Sequence, residues 1–231
     1  IAEDPRSAEI IKPLVIGKDI HRYRIDFQDR YLIWAYIGVP IKEYPAIFKH
    51  LKQYKTQLAK RCDKGKHWWE LRACDYYEQF EKPKIIYPNI CKQPEFAFDE
   101  NGLYTNQKCF IIPTTDKYLL GILNSSINLF LFRLTLPKLR GDYYEPSYVF
   151  FKNFPIRKLD LNNPEHLALH DRMITLVDDL LELHGSNDEE SPELERAIEE
   201  RDKEIDELTY QLYGLNDKEI RIIERHERDN T

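Results

Sequence analysis

The sequence has little glycine, with eight residues in 231, and none of them forms a glycine-rich loop that could hold a nucleotide or S-adenosylmethionine. It also lacks the Asp/Asn-Pro-Pro-aromatic turn that holds the amino group of a target base. No Asp or Glu is followed two positions later by lysine, so the Asp/Glu-x-Lys metal ligands of many nucleases are missing. HExxH, G-x-S-x-G and Walker sequences are absent too. These absences predict a chain without catalytic activity of its own.

Cysteine is scarce and irregularly spaced. No C-x-x-C pair or accompanying histidine pair gives zinc-ligand spacing among Cys62, Cys74, Cys91 and Cys109. His166 and His170 lie four positions apart, but no third ligand accompanies them, so we interpret them as ordinary helix-surface or helix-interface residues. We therefore expect no metal or cofactor in this chain, reduced thiols and a cytoplasmic location.

Long apolar runs are also missing. The longest candidate, "YLLGILNSSINLFLFRL" (118–134), is interrupted by asparagines and serines, whereas a membrane-spanning helix needs about 20 predominantly apolar residues. Glu3, Asp4 and Arg6 break up any signal peptide at the start. We expect no membrane segment. Because the sequence does not begin with methionine, we also expect a piece of a longer polypeptide.

Charge and aromatic residues are distributed very unevenly. Residues 1–158 contain 26 Lys and Arg against 18 Asp and Glu, a net charge of +8. Residues 159–231 contain 8 against 22, a net charge of −14. Of the 29 aromatic residues, 27 lie in the first part. The asymmetry predicts two modules with different roles, a basic aromatic module over 1–158 and an acidic module over 159–231.

Hydrophobic patterning predicts an α+β fold for the first module. Turn and strand signals indicate a hairpin at Asn101-Gly102 and a last strand over 147–156. Apolar residues at three- to four-residue spacing indicate a helix over 45–58 and a mostly buried helix that follows a Thr114 or Thr115 cap.

The second module has helical signals throughout. Asn163-Pro164 and Pro192 begin two long helices, with "SNDEES" (186–191) as a solvated linker between them. A capping box at Asn216 begins a third, short helix. The pattern predicts an αα-hairpin plus a short helix.

Basic residues gather beside aromatic residues in three stretches, 49–66, 72–92 and 133–140. A hydrophobic core with a charged rim explains the aromatic residues, and we assign to the core Trp68, Leu71, Ile85, Ile86, Leu123 and Phe154. The clustering of the cations fits a polyanion better, because Lys and Arg supply sequence-independent affinity for phosphates while neighbouring residues contact base edges. On these residues alone, nucleic-acid binding ranks only slightly above protein binding.

Several segments, in order, resemble the TaqI-like C-terminal specificity domain, the target-recognition domain of type IIG restriction-modification enzymes and related adenine N6 DNA methyltransferases. The similar segments are "IKPLVIGKDIHRYRI", "HWWELR" with "FEKPKIIYPNI", "YLLGILNSSINLFLF" and "KLRGDYYEPSYVFFKNFPI". The acidic tail, "EIDELTYQLYGLNDKEIRIIE", resembles the module that closes many of these enzymes. One departure is Asp142, which stands where the family has the second glycine of R-G-G.

The resemblance implies a mixed α/β target-recognition domain with hairpin strands and a buried helix, followed by the helical module. It implies sequence-specific recognition of double-stranded DNA that positions the target adenine for an upstream methyltransferase domain of the same polypeptide. S-adenosylmethionine, and in a cleaving enzyme Mg²⁺, would belong to that parent enzyme. The isolated domain is expected to be a monomer.

Within this interpretation we predict two sets of DNA contacts. The phosphate contacts are Lys52, Lys55, Lys64, Lys66, Lys84 and Lys138. The base contacts are Arg72, Arg140, Tyr143 and Tyr144. The alternative is a protein-interaction subunit or scaffold domain whose basic surface only keeps it soluble, and a complete small enzyme is a third possibility that the missing motifs argue against.

Overall fold

The computed structural model describes residues 3–185 and 191–228 and has the mixed α+β fold that was predicted. The helices are α1 (Pro45–Lys52), α2 (Lys55–Ala59), α3 (Lys117–Asn124), α4 (Ser126–Thr135), α5 (Tyr148–Phe151), α6 (Pro164–Gly185), α7 (Pro192–Tyr213) and α8 (Asp217–Arg228). The strands are β1 (Ile11–Val15), β2 (Ile20–His21), β3 (Arg24–Ile25), β4 (Tyr31–Ile33), β5 (Lys84–Pro88), β6 (Ala97–Asp99), β7 (Tyr104–Thr105), β8 (Cys109–Pro113), β9 (Lys138–Leu139) and β10 (Tyr143–Tyr144).

The chain forms two compact units, each assembled from several segments. Unit 1 consists of 1–15, 27–83 and 100–106, and unit 2 consists of 16–26, 84–99 and 107–231. These units follow packing and not the change of charge at residue 158. The division into a recognition domain over 1–158 and an acidic helical module over 159–231 therefore stays a prediction about function.

Unit 1 is built on a three-stranded sheet in the order β4-β1-β7, with β4 antiparallel and β7 parallel to β1. Its core includes Ile10, Ala35, Val39, Ile41, Tyr44, Ile47 and Leu51. Pro45 begins α1, a position where a missing N–H costs nothing. The helix predicted over 45–58 is two helices, because Tyr54 leaves helical geometry at ψ 7° and α2 begins at Lys55.

Unit 2 contains an antiparallel sheet in the order β6-β5-β8. Every residue of the central strand β5 is buried. Ile85 lies opposite Phe98 on one side and Ile112 on the other. The hairpin predicted at Asn101-Gly102 is wrong, because β6 pairs with β5 and β7 pairs with β1. Gly102 does form a turn, with φ at +70°, but a turn signal does not specify which strands pair.

The predicted buried helix of unit 2 is two helices, α3 and α4, that meet at a bend of 59°. Ser125 between them is extended, with ψ at 161°. The polar side chain of Asn124 can be buried at this bend because it is hydrogen-bonded. It accepts from the backbone N–H of Phe96 and donates to the Phe96 carbonyl. The helix is capped by Asp116, whose carboxylate accepts from the N–H of Leu119, and not by Thr114 or Thr115.

Among the described residues, no single helix is long and apolar enough to cross a membrane, and the bent pair α3 and α4 passes that test only when the two are taken together, by length and composition. In unit 2 both helices belong to the core with β5, α6 and α7. Gly121 allows α3 to pack closely against α6, because a Cβ at this position would overlap the sulfur of Met173 on α6.

The C-terminal helices form the predicted αα-hairpin and short helix. The side chain of Ser191 caps α7, and Gly214 ends it with φ at +66°. Asn216 accepts from the N–H groups of Lys218 and Glu219, and Glu219 accepts from the N–H of Asn216 at 2.9 Å, which is the predicted capping box. The linker predicted over 186–191 lies outside the described residues except for Ser191.

The last strand predicted over 147–156 is wrong, because this segment contains the short helix α5. Phe151 and Phe154, three positions apart, both pack against Phe132. A three-residue spacing brings two side chains to the same side of a helical turn, whereas in a strand it would place them on opposite faces. The unbroken run of apolar residues gave no alternation from which to distinguish the two structures.

Candidate nucleic-acid interface

Unit 1 carries a cluster of aromatic rings with cations over them, which we call the Trp68 surface: Phe48, Lys52, Lys55, Trp68 and Trp69. Phe48 stacks on Trp68 at 6.1 Å between ring centroids, and the two tryptophans meet edge to face at 5.3 Å. The Lys52 Nζ lies 4.5 Å from the Phe48 ring centroid, and the Lys55 Nζ lies 6.0 Å from that of Trp68. Cation–π attraction therefore holds exposed positive charge over a rigid aromatic base.

The turn that contains Trp68 is held in place by the buried side chain of Glu70, which is 1% exposed. Its carboxylate accepts from the backbone N–H of Gly38 at 3.0 Å and from that of His67 at 2.9 Å. On the other side, the Arg61 guanidinium donates to the carbonyl oxygens of Trp68 at 3.1 Å and Glu70 at 2.8 Å. The aromatic turn is thus positioned by charge-assisted hydrogen bonds, which are stronger than those between neutral groups.

These contacts predict a pH-dependent contribution to stability. Burial alone would raise the pKa of Glu70, but the hydrogen bonds from Gly38 and His67 outweigh it and hold this pKa below its usual value. With the folded pKa depressed, the contribution is complete above the unfolded pKa and is lost as pH falls through the folded pKa. Glu70→Gln should lower the free energy of unfolding by about 1–3 kcal/mol at pH 7.

The difference between Glu70→Gln and the wild type should shrink as the pH falls from the unfolded pKa through the folded pKa, because the wild-type carboxyl is neutral in both states below that range. Urea unfolding at several pH values measures it. The exposed Glu207→Gln, on α7, is the control. A difference between Glu70→Gln and the wild type that does not change with pH would contradict the assignment.

Unit 2 presents a second basic element, the hairpin formed by β9 and β10. Tyr143 pairs with Leu139 and Tyr144 with Lys138, which leaves a three-residue turn of Arg140, Gly141 and Asp142. Gly141 and Asp142 have φ of +84° and +61°. Asp tolerates the left-handed region better than most residues do, so Asp142 can adopt this turn conformation without a second glycine.

The hairpin is attached to the rest of unit 2 by backbone hydrogen bonds and by a cation–π contact. Tyr144 exchanges backbone hydrogen bonds with Cys91, at 2.7 and 3.1 Å. Lys92 follows Cys91 in the chain, and its Nζ lies 5.4 Å from the Tyr143 ring centroid. The Lys138 ammonium contacts the Asp142 carboxylate at 2.8 Å, which lowers the pKa of Asp142. Asp142 is therefore an ionised acceptor at neutral pH.

The structure leaves eight of the ten predicted DNA-contacting side chains exposed. In unit 1 these are Lys52, Lys55, Lys64, Lys66 and Arg72. In unit 2 they are Lys138, Arg140 and Tyr143, which the hairpin brings together. Lys52 and Lys55 share the Trp68 surface, while the Lys64 Nζ donates to the carbonyl oxygen of Arg61. Their contact with DNA stays a prediction.

Two of the predicted contacts need correction because the side chains are buried. Lys84 has no exposed surface and is ion-paired with Asp99, whose side chain is equally buried. Tyr144 is only 6% exposed and belongs to the core of unit 2. Neither side chain can reach a duplex without unfolding its surroundings, so we remove both from the set.

Of the residues predicted to lie in the core, Ile85, Ile86 and Leu123 are buried. Trp68, Leu71 and Phe154 are half-buried. Lys92 also belongs to the hairpin element, which the sequence did not predict. Only the pairing between Cys91 and Tyr144 brings it there, and nothing in the local pattern of "NICKQ" predicts that long-range bridge.

Across the described ranges, no group of three or more His, Cys, Asp or Glu side chains is arranged to hold a metal ion. His166 accepts from the backbone N–H of Asp160 at 3.2 Å. His170 stacks on Tyr118, with 5.4 Å between centroids. Both histidines of the predicted pair therefore have contacts of their own within unit 2.

Comparison with known proteins places these elements in context. Residues 12–156 match the TaqI-like C-terminal specificity domain. A curated relative, the Type II methyltransferase M.BanIII of Aneurinibacillus aneurinilyticus, is 22% identical over 174 residues, covering 70% of this chain and 29% of the relative. The fold is similar to that of the Type IIL restriction-modification enzyme MmeI, solved in complex with DNA, with a TM-score of 0.66, 16% identity and coverage of 94% of this chain and 30% of MmeI.

The match over residues 12–156 identifies a specificity domain. The chain belongs to the TaqI-like C-terminal specificity domain family. It spans about three tenths of the length of the relatives it matches. The activities of those whole proteins therefore do not transfer directly to this chain.

Proposed function

We propose that this chain recognises a specific sequence in double-stranded DNA and has no catalytic activity of its own. The observation that carries the proposal is the β9–β10 hairpin, whose exposed turn presents Arg140 between Lys138 and Tyr143 on a backbone anchored to the core. A two-stranded ribbon fits the major groove, and arginine can donate two hydrogen bonds to the O6 and N7 atoms of guanine.

In this proposal the lysines of unit 1 contact phosphates and fix the register of the protein on the duplex. Lys52, Lys55, Lys64 and Lys66 are exposed, and the first two are held in place by rings. Helices α6 and α7 carry net charges of −4 and −5 and would repel a phosphate backbone, so we assign them to contacts with protein.

The family membership supports a place for this domain in a larger enzyme. We propose that it positions a target adenine for a methyltransferase domain of the same polypeptide. Enzymes that modify a base within a duplex must rotate it out of the stack. Any S-adenosylmethionine, and any Mg²⁺ used for cleavage, would be bound by that parent enzyme and not by this chain.

The test is the salt dependence of DNA binding. The 231-residue chain is used to select duplexes from a random library, and binding is then measured by fluorescence anisotropy at several salt concentrations. We expect a Kd that rises linearly with salt on a log–log plot, with a slope near 0.9 for each phosphate contacted. A chain that enriches no duplex, and whose weak binding does not respond to salt, would favour the protein-interaction alternative.

Arg140→Ala should remove discrimination at one base pair of the selected site. Loss of a bidentate contact costs about 1–3 kcal/mol, so the Kd for the selected duplex should rise about 5- to 150-fold while binding to random duplex changes much less. Repeating the selection with the variant identifies the relaxed position. Arg196→Ala, on the acidic helix α7, is the matched control and should leave both affinities unchanged.

A further inference from the structure

Helix α5 presents three large apolar side chains to solvent in a row. Tyr148 is 68% exposed, Val149 65% and Phe150 42%. Single exposed apolar residues are common and need no explanation, whereas large exposed apolar patches mark sites of interaction. We call these three residues the α5 patch.

The exposure of the α5 patch is fixed by the core of unit 2. The next residue, Phe151, lies 5.5 Å from Phe96 and 5.6 Å from Tyr87 between ring centroids. The N–H of Phe151 also donates to the Ser147 carbonyl at 2.9 Å, which closes the helical turn. Rotating α5 to bury Tyr148 would pull Phe151 out of its aromatic packing. The patch therefore cannot be covered by a small local rearrangement.

Positive charge borders the α5 patch. The Lys152 Nζ lies 5.5 Å from the Tyr148 ring centroid. The chain leading into α5 comes directly from β10, so the patch follows the hairpin with only three residues between them. From 133 to 152 the chain has four basic and two acidic residues. One of those two, Asp142, is already ion-paired with Lys138.

Apolar side chains with cations beside them are complementary to both the phosphates and the stacked bases of a DNA duplex. Phosphates attract the cations, and the stacked bases offer apolar faces to aromatic and aliphatic side chains. Proteins that insert such side chains between base pairs unstack one step and bend the duplex, and the bend brings more of the protein into contact. A partner protein would find apolar atoms here but would need acidic groups around them.

We propose that Tyr148, Val149 and Phe150 form a wedge that inserts at one base step beside the base pairs contacted by the hairpin. This inference rests on the proposed function and adds to it a mechanism by which the duplex is distorted. Distortion has a sequence-dependent cost, so the α5 patch would also contribute to specificity at a position where no side chain reads a base edge.

The test uses the selected duplex with 2-aminopurine, whose fluorescence rises when it is unstacked, placed at each position in turn. We expect the wild-type chain to raise emission severalfold at one step. The variant Tyr148→Ser/Val149→Ser/Phe150→Ser should abolish that rise and increase the Kd about tenfold, with an unchanged salt slope because no cation is lost. The control Tyr31→Ser/Leu161→Ser/Leu167→Ser changes three other exposed apolar residues and should keep the rise.

Several results would overturn the wedge, and they separate it from the proposed function. Salt-dependent binding without any rise in emission would refute the wedge alone. A wild-type chain that enriches no duplex would refute both. If sedimentation shows that the wild type self-associates and the wedge variant does not, with DNA binding equal in the two, the α5 patch is an interface between copies of this chain. Circular dichroism confirms that each variant is folded.

Discussion

Replacing Asp99 with alanine should lower the free energy of unfolding by about 3–5 kcal/mol, because it removes the carboxylate with which the buried ammonium group of Lys84 is ion-paired. Both side chains are completely buried, and their residues lie opposite each other on β5 and β6. A charge in the interior keeps little of its hydration, so the ion pair and its hydrogen bond compensate for most of that loss. The loss should be visible in urea unfolding as a lower midpoint.

The double variant Lys84→Met/Asp99→Leu separates the charge from the packing. Replacing both members of a buried pair with apolar residues of similar volume is often neutral, so the double variant should be more stable than Asp99→Ala. Glu207→Ala, which breaks the exposed pair with Lys203 on α7, should change unfolding little. Equal losses of unfolding free energy in Asp99→Ala and Glu207→Ala would mean that the buried ion pair contributes no more to stability than an exposed one.

Changing Lys52, Lys55, Lys64 and Lys66 together to glutamine should weaken DNA binding by about three orders of magnitude near 0.1 M salt, if each lysine contacts one phosphate. Each lost contact also lowers the salt slope by about 0.9, so the slope should fall by about 3.6. Affinity for selected and random duplexes should fall by the same factor, because phosphate contacts carry no sequence information. Anisotropy titrations over a range of salt concentrations measure both quantities.

A matched control for this variant is available in the C-terminal helices. Changing Arg196, Lys203, Lys218 and Arg221 to glutamine alters the net charge by the same amount at exposed positions of α7 and α8. If general electrostatic attraction governs binding, the two variants should lose affinity equally. If unit 1 carries the phosphate contacts, only the first variant should lose it.

The sequence predicted local features well and long-range pairing poorly. Pro45, Pro164 and Pro192 each begin a helix, and the capping box at Asn216 forms, because these signals act within one helical turn. Asn101-Gly102 makes a turn, but the choice of partners for β6 and β7 depends on residues far along the chain.

The candidate interface shows the same limit. Basic side chains could be located by composition, but whether a lysine is exposed depends on the fold. Lys84 lies in "KPKIIYP" and is the first residue of the buried strand β5, and its ion pair with Asp99 on the neighbouring strand is not evident from the local sequence. The α5 patch lies in "YVFF" (148–151), a run of apolar residues that fits a strand as well as it fits a helix.

The way the chain passes five times between its two units has a consequence for protein engineering. No single cut releases either unit intact, so exchanging half of the chain with a relative would disrupt both cores. The hairpin around Arg140 differs from the two units in this respect. Its strands β9 and β10 pair with each other antiparallel, so the first and last residues of the hairpin, Lys138 and Tyr144, lie opposite each other. Seven residues, from Lys138 to Tyr144, could therefore be swapped as a cassette, which makes this hairpin the practical place to reprogram which DNA sites are chosen.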